Sequence, residues 1–270
     1  MDDRPIGVFD SGLGGLTTVR ELCRLLPEED IVYFGDTGRV PYGSRSRETI
    51  VKYARQDVAF LRTFDLKTIV IACGTVSTTA LDVLAAENPI PVLGVVAPAA
   101  RAAARATRSG SIGLLGTQAS IRSGAYERLI RAENPAARVL AQSCPLFVPL
   151  VENGRFRPGD VVIETVAAEY LAPLKAAGVD TLVLGCTHYP LLEKVIGAYM
   201  GPEVRLINSG AEGARAAADC LRERDALAGP GRGSCRCFVS DRQEDFSRLA
   251  STFLGWDVAQ AVEQVDISQY

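Results

Sequence analysis

A chain of 270 residues, 47% hydrophobic and 23% charged, can hold two α/β domains with sizeable cores and is too apolar for a disordered chain. A formal charge of −3 without a basic run gives no handle for nucleic acid, and no apolar stretch approaches the roughly 18 residues of a membrane span. The opening MDDRPIGVFDSG lacks a charged leader and apolar core, so the seven cysteines are expected to be reduced thiols of a soluble, cytoplasmic protein with a small-molecule partner.

In chain order, short apolar runs at 6–9, 31–35, 68–72, 92–96, 112–116, 139–143, 181–185, 204–208 and 237–240 read as strands. Amphipathic stretches between them, such as 46–62, 121–132, 160–176 and 243–254, read as helices. Strands apolar on both faces and separated by helices build mainly parallel sheets covered by helices, the α/β class.

A weak internal repeat carries more information. DLKTIVIACGT at 65–75 resembles GVDTLVLGCTH at 178–188, and IGVFDSG at 6–12 resembles IGLLGTQ at 112–118. Each half thus has a first strand ending in a polar turn and a later strand ending in cysteine. Ligands of open α/β sheets sit beyond the carboxyl ends of the strands. That end carries Asp10, Ser11, Cys73, Thr75, Thr117, Cys186, Thr187 and His188, the only histidine of the chain. If the halves face each other about a pseudo-twofold axis, two thiols confront one another across one cleft.

Two facing thiols suit a reaction that takes a proton from one face of a carbon and returns one to the other. A free thiol titrates near ~8.5, so both protonation states are accessible. The segments after Cys73 and Cys186 both read as helix starts, which would favour thiolate. Asp10 and His188 are then a helper for each thiol, and unlike helpers predict different pH profiles in the two directions. The glycine-rich DSGLGGLTT lacks the ending of a phosphate loop and the spacing of a dinucleotide fingerprint; it reads as a turn that brings N–H groups to a small anion. SCRCF at 234–238 has no second pair to complete a zinc site and reads as packing, as do Cys23, Cys144 and Cys220. No metal and no cofactor is expected.

The segments GVFDSGLGGLTTVRE, YFGDTGRVPYG, IVIACGTVST, VPLVENG and VLGCTHYPLL together resemble, in order and spacing, the motifs of the glutamate racemases, cofactor-independent enzymes that supply D-glutamate for peptidoglycan. The resemblance implies two α/β domains, residues 1–97 with 209–270 and residues 98–208, with the active site between them. It implies that Cys73 takes the α-proton from D-glutamate and Cys186 from L-glutamate, supported by Asp10 and His188, with Glu152 and Asp36 in auxiliary roles. Substrate-contacting positions would be Asp10, Ser11, Tyr42, Gly43, Gly74 and Thr75 in the first domain. Thr117, Thr187 and His188 would serve from the second. The likeness admits a homodimer.

Two departures stand out. The family usually has Cys-Asn-Thr where this chain has Cys73-Gly74-Thr75, and threonine where it has Ser120. Read as the loss of one neutral hydrogen bond, glycine costs roughly 0.5–1.5 kcal/mol, and Gly74→Asn is expected to improve glutamate binding. The alternatives are a racemase of another acidic amino acid, chiefly aspartate; a non-catalytic amino-acid-binding homologue; and a metal or redox role for the cysteines.

Overall fold

Ten strands build two sheets in the computed structural model, which describes residues 1–256 and 262–270. In chain order they are β1 (Ile6–Asp10), β2 (Ile31–Gly35), β3 (Thr68–Ile71), β4 (Val92–Gly94), β5 (Ser111–Gly116), β6 (Arg138–Ser143), β7 (Thr181–Leu184), β8 (Arg205–Asn208), β9 (Cys235–Val239) and β10 (Val262–Gln264). One sheet has the order β10-β9-β2-β1-β3-β4, the other β6-β5-β7-β8, and the paired strands are parallel. β1, β2, β3 and β7 are buried along their whole length, because helices cover both faces.

The repeat in the sequence is a repeat in the sheets. The run β2-β1-β3-β4 has the same order as β6-β5-β7-β8. Its register matches too: Ile6 lies beside Thr68 as Ile112 lies beside Thr181, and Phe9 beside Ile71 as Leu115 beside Leu184. Counted along the strands, Ser11 corresponds to Thr117, Cys73 to Cys186, Gly74 to Thr187 and Thr75 to His188.

Local chemistry sets the helix ends. Ser46 accepts the Thr49 N–H at the start of the helix Arg47–Leu61, and Asp160 accepts the Val162 N–H ahead of Val161–Ala176. The helix Gln243–Leu254 has the expected limits. The segment 121–132 is divided between two helices, Gln118–Ser123 and Ala125–Glu133, because Gly124 turns left-handed (φ 62°) and closes the first. The strand read at 92–96 stops at Gly94, and Val95 already has helical backbone ahead of Val96–Ala106. β10 escaped the sequence reading: it has three residues, two of them exposed, and among the described residues it pairs with β9 alone.

Candidate active site

The carboxyl ends of β1, β3, β5 and β7 converge on a cavity of about 380 Å3. Ser11, Cys73, Thr117 and Cys186 all line it. That size is at the small end of the ~300–1,000 Å3 usual for ligand pockets. Two wider surface recesses, of about 950 and 850 Å3, contain no cysteine.

Cys73 ends the loop after β3 and caps the helix Gly74–Thr79. Its thiol donates to Ser11 Oγ at 3.4 Å. Burial, aided by the Asp10 carboxylate, pushes this thiol up to about 12 and overrides the short helix behind it. The expected thiolate is therefore absent here at neutral pH; Cys73 rests as an acid.

Asp10 is 1% exposed and stands behind the wall. It accepts the Gly12 N–H at 3.0 Å and faces Thr187 Oγ1 at 3.5 Å. The anion held by the glycine-rich turn is thus the chain's own carboxylate, with the Gly15 N–H also directed at it. Burial raises Asp10 above the ordinary carboxylate range, while the charge of His188 opposes that rise. Among the described residues no hydrogen bond joins Asp10 to Cys73.

Cys186 has different company. His188 Nδ1 lies 3.9 Å from its sulfur, and His188 Nε2 lies 3.0 Å from Glu152 Oε1. Burial alone would lower the imidazole, but hydrogen bonds and charges from Cys186 and Glu152 together raise it to about 10. His188 is thus an imidazolium at neutral pH. Phe253, on the helix Gln243–Leu254, meets its ring edge-on with centroids 5.4 Å apart. Cys186 does not precede an α-helix directly: Tyr189–Leu192, with Pro190 near its start, is a 3-10 turn, and the helix begins at Glu193.

The PYG segment forms a second 3-10 turn, Tyr42–Ser44. Among the described residues the N–H groups of Tyr42 and Gly43 have no protein acceptor, nor do those of Gly74 and Thr75 at the start of their helix, so four donors are free for an anionic ligand. The Tyr42 hydroxyl points away, donating to Asp36 and facing Asp57 at 3.2 Å. Arg39 Nε donates to Asp36 at 2.6 Å, its Nη2 donates to Asp57 at 2.8 Å, and Ser240 Oγ donates to Asp36 at 2.7 Å. Asp36 is fully buried in this network, so it anchors the turn rather than facing the cavity.

The halves also touch around the cavity. Thr75 and Thr117 hydroxyls lie 3.0 Å apart, and Thr17 Oγ1 donates to the carbonyls of Gly14 and Thr187, each at 2.9 Å. Thr117 caps the helix Gln118–Ser123 and donates to Ser120 Oγ at 3.1 Å, so Ser120, where threonine was expected, supplies a hydroxyl to this cap.

A model of the family described as Asp/Glu/Hydantoin racemase matches residues 9–217. Glutamate racemase of Geobacter metallireducens is 48% identical over 256 residues, 94% of this chain and 94% of that relative. The glutamate racemase of Streptococcus gordonii is 44% identical over 99% of this chain and 100% of its own. The chain belongs to this racemase family. Among solved structures, the Francisella tularensis glutamate racemase in complex with D-glutamate superposes with a TM-score of 0.92 at 36% identity, each chain fully covered. The aspartate racemase of Picrophilus torridus, at 18% identity and a TM-score of 0.54 over 83% of this chain, shares the fold alone. As a member of the family this chain is an amino-acid racemase, and its relatives favour the glutamate type over the aspartate type.

Sequence reasoning overlooked part of the racemase's cavity wall. Cys144, read as filler, lines it together with Pro145, Val148 and Pro149. The signal was present: β6 ends at Ser143, one residue earlier, at the same carboxyl edge. Cys235 and Cys237 lie elsewhere, with sulfurs 4.0 Å apart, and no group of three metal-ligating side chains occurs among the described residues. Position 74 also needs rereading. A Cβ there would lie 2.6 Å from the Gly185 carbonyl oxygen, so asparagine cannot simply be added to this backbone.

Proposed function

We propose that the chain interconverts L- and D-glutamate by proton exchange between two thiols, supplying D-glutamate for peptidoglycan from the cytoplasm. The observation that carries this reading is the register equivalence of Cys73 and Cys186, which gives one cavity a thiol from each sheet. In the L-to-D direction the Cα–H bond breaks, its proton goes to the Cys186 thiolate and its electron pair stays on Cα. The Cys73 thiol then gives its proton to the opposite face. The imidazolium of His188, backed by Glu152, supplies the counter-charge that a Cys186 thiolate requires. Asp10 accepts from Gly12 and so steadies the turn that carries Ser11, the acceptor of the Cys73 thiol.

The carbanion needs stabilisation, and the N–H groups of Tyr42, Gly43, Gly74 and Thr75 suit the substrate's carboxylates. The hydroxyls of Ser11, Thr75 and Thr117, together with Thr187 and His188, suit its remaining polar groups. The two-sheet arrangement supports a division into residues 1–97 with 209–270 and residues 98–208, closing on the substrate to exclude water. Seven unpaired cysteines accord with a reducing compartment. A homodimer fits the family likeness and is read by sedimentation of the same preparation.

The test is incubation of reduced protein, without cofactor, with L-glutamate in deuterated buffer. Proton NMR should show loss of the α-hydrogen while optical rotation falls, with aspartate much slower. Absence of exchange with both amino acids would replace this reading with the binding homologue.

A further inference from the structure

We propose that Gly74 is a spacer: its bare Cα lets the two thiol loops meet backbone to backbone, and this sets the distance across which the proton is relayed. The proposal rests on the racemase reading and deepens it. Gly74 follows Cys73, and Gly185 precedes Cys186. A Cβ at 74 would sit 2.6 Å from the Gly185 oxygen, a backbone atom that no rotamer change removes. Relief to an ordinary contact requires roughly 0.5–1 Å of movement.

Neither backbone is free to supply that movement alone. The Gly185 N–H bonds Leu115 O at 2.9 Å, and a Cβ on Gly185 would itself meet Leu115 O at 2.6 Å, so the Gly185 Cα that carries this carbonyl is held against the end of its sheet. On the other side, Ala72 N–H bonds Phe9 O at 2.9 Å, and Cys73 O accepts the Ser77 N–H at 2.9 Å. The remaining response is for the halves to part, which carries Cys73 away from Cys186.

The register sharpens the point. Gly74 is the counterpart of Thr187, whose hydroxyl lies over Gly14 of the opposite half. The seam therefore has two seats in which the loop after β7 rests on glycines of the other half, Thr187 on Gly14 and the Gly185 carbonyl on Gly74. Gly43 adds a third close approach, where a Cβ would lie 3.0 Å from Thr117 Cβ. The asparagine that the family likeness leads one to expect here is thus not a lost donor to be restored. In this chain it would be a wedge.

The experiment compares the parent with Gly74→Ala, Gly74→Ser and Gly74→Asn in racemisation of L-glutamate in deuterated buffer. A misplacement of about 1 Å can cost ~100-fold, so each variant should lose about 10–100-fold in kcat, alanine included, whatever the polarity of the added group. A second readout does not depend on how much protein is folded: the ratio of deuterium in recovered L-glutamate to deuterium in D-glutamate. With the relay stretched, the carbanion waits longer for Cys73 and is more often reprotonated from the Cys186 face after exchange, so the ratio rises in all three variants. Asparagine or serine outperforming the parent would overturn the proposal in favour of a missing hydrogen bond. A lower rate with an unchanged ratio would also overturn it, as a folding effect. If the parent itself does not racemise glutamate, the underlying functional reading fails instead.

Discussion

Around Cys73 stand a hydroxyl and a buried carboxylate; around Cys186 stands an imidazolium backed by a carboxylate. The two thiols hold equivalent places in equivalent sheets, but their neighbours do not match: Thr75 stands where the other half has His188, and Asp10 where it has Gly116. Duplication of the fold explains why there are two thiols. Single residues at the same register explain why they rest differently. Cys73, pushed up by burial and Asp10, keeps its proton, while Cys186 faces a positive charge.

The largest expected effect comes from removing either thiol. Cys73→Ser and Cys186→Ser should each lose about 100–10,000-fold in racemisation, the span of general acid–base catalysis. The two variants should nonetheless differ. Cys73→Ser keeps the Cys186–His188 pair and should still wash deuterium into L-glutamate without inversion; Cys186→Ser should not. Equal exchange of L-glutamate by both variants would erase the assigned faces.

A smaller effect, near 10-fold in kcat, is expected for Glu152→Gln with L-glutamate. The carboxylate helps hold His188 up at about 10, so its removal lets the imidazolium lose its proton at lower pH. The alkaline fall of kcat for L-glutamate should move to lower pH accordingly. The enantiomers have equal free energies, so kcat/KM must titrate alike in both directions, and the asymmetry is visible only in kcat. An unmoved alkaline limb in Glu152→Gln would show that Glu152 does not act through His188.

Ser11→Ala should have the smallest effect. It removes one neutral hydrogen bond beside Cys73, worth roughly 0.5–1.5 kcal/mol, or about 2–10-fold in kcat for D-glutamate. A larger loss with L-glutamate than with D-glutamate would place Ser11 in the service of the other thiol.

Much of this asymmetry was legible before any coordinates. The apolar runs located nine strands because buried parallel strands must be apolar on both faces, and the matched cysteine turns announced the duplication. Less legible were the features that depend on through-space neighbours. The helix-start reading at Cys73 suggested a low thiol value, yet burial and Asp10 reversed it. Asp36, given an auxiliary role by the family likeness, is tied to Arg39, Tyr42 and Ser240, the last from a segment 204 residues later. Cys144 looked like filler and forms part of the wall.

By itself the sequence determined the α/β class, the two thiols, the lone histidine and the glycine-rich turns, because hydrophobic period and residue type are written locally along the chain. Tertiary structure alone decided which charges meet and how closely the halves approach. Glu152 reaches His188 from 36 residues away, the Asp10 carboxylate fills its own turn, and Gly74 meets a carbonyl 111 positions along the chain. Such pairings depend on ångström distances between segments remote in sequence, and burial then fixes what each charge is worth.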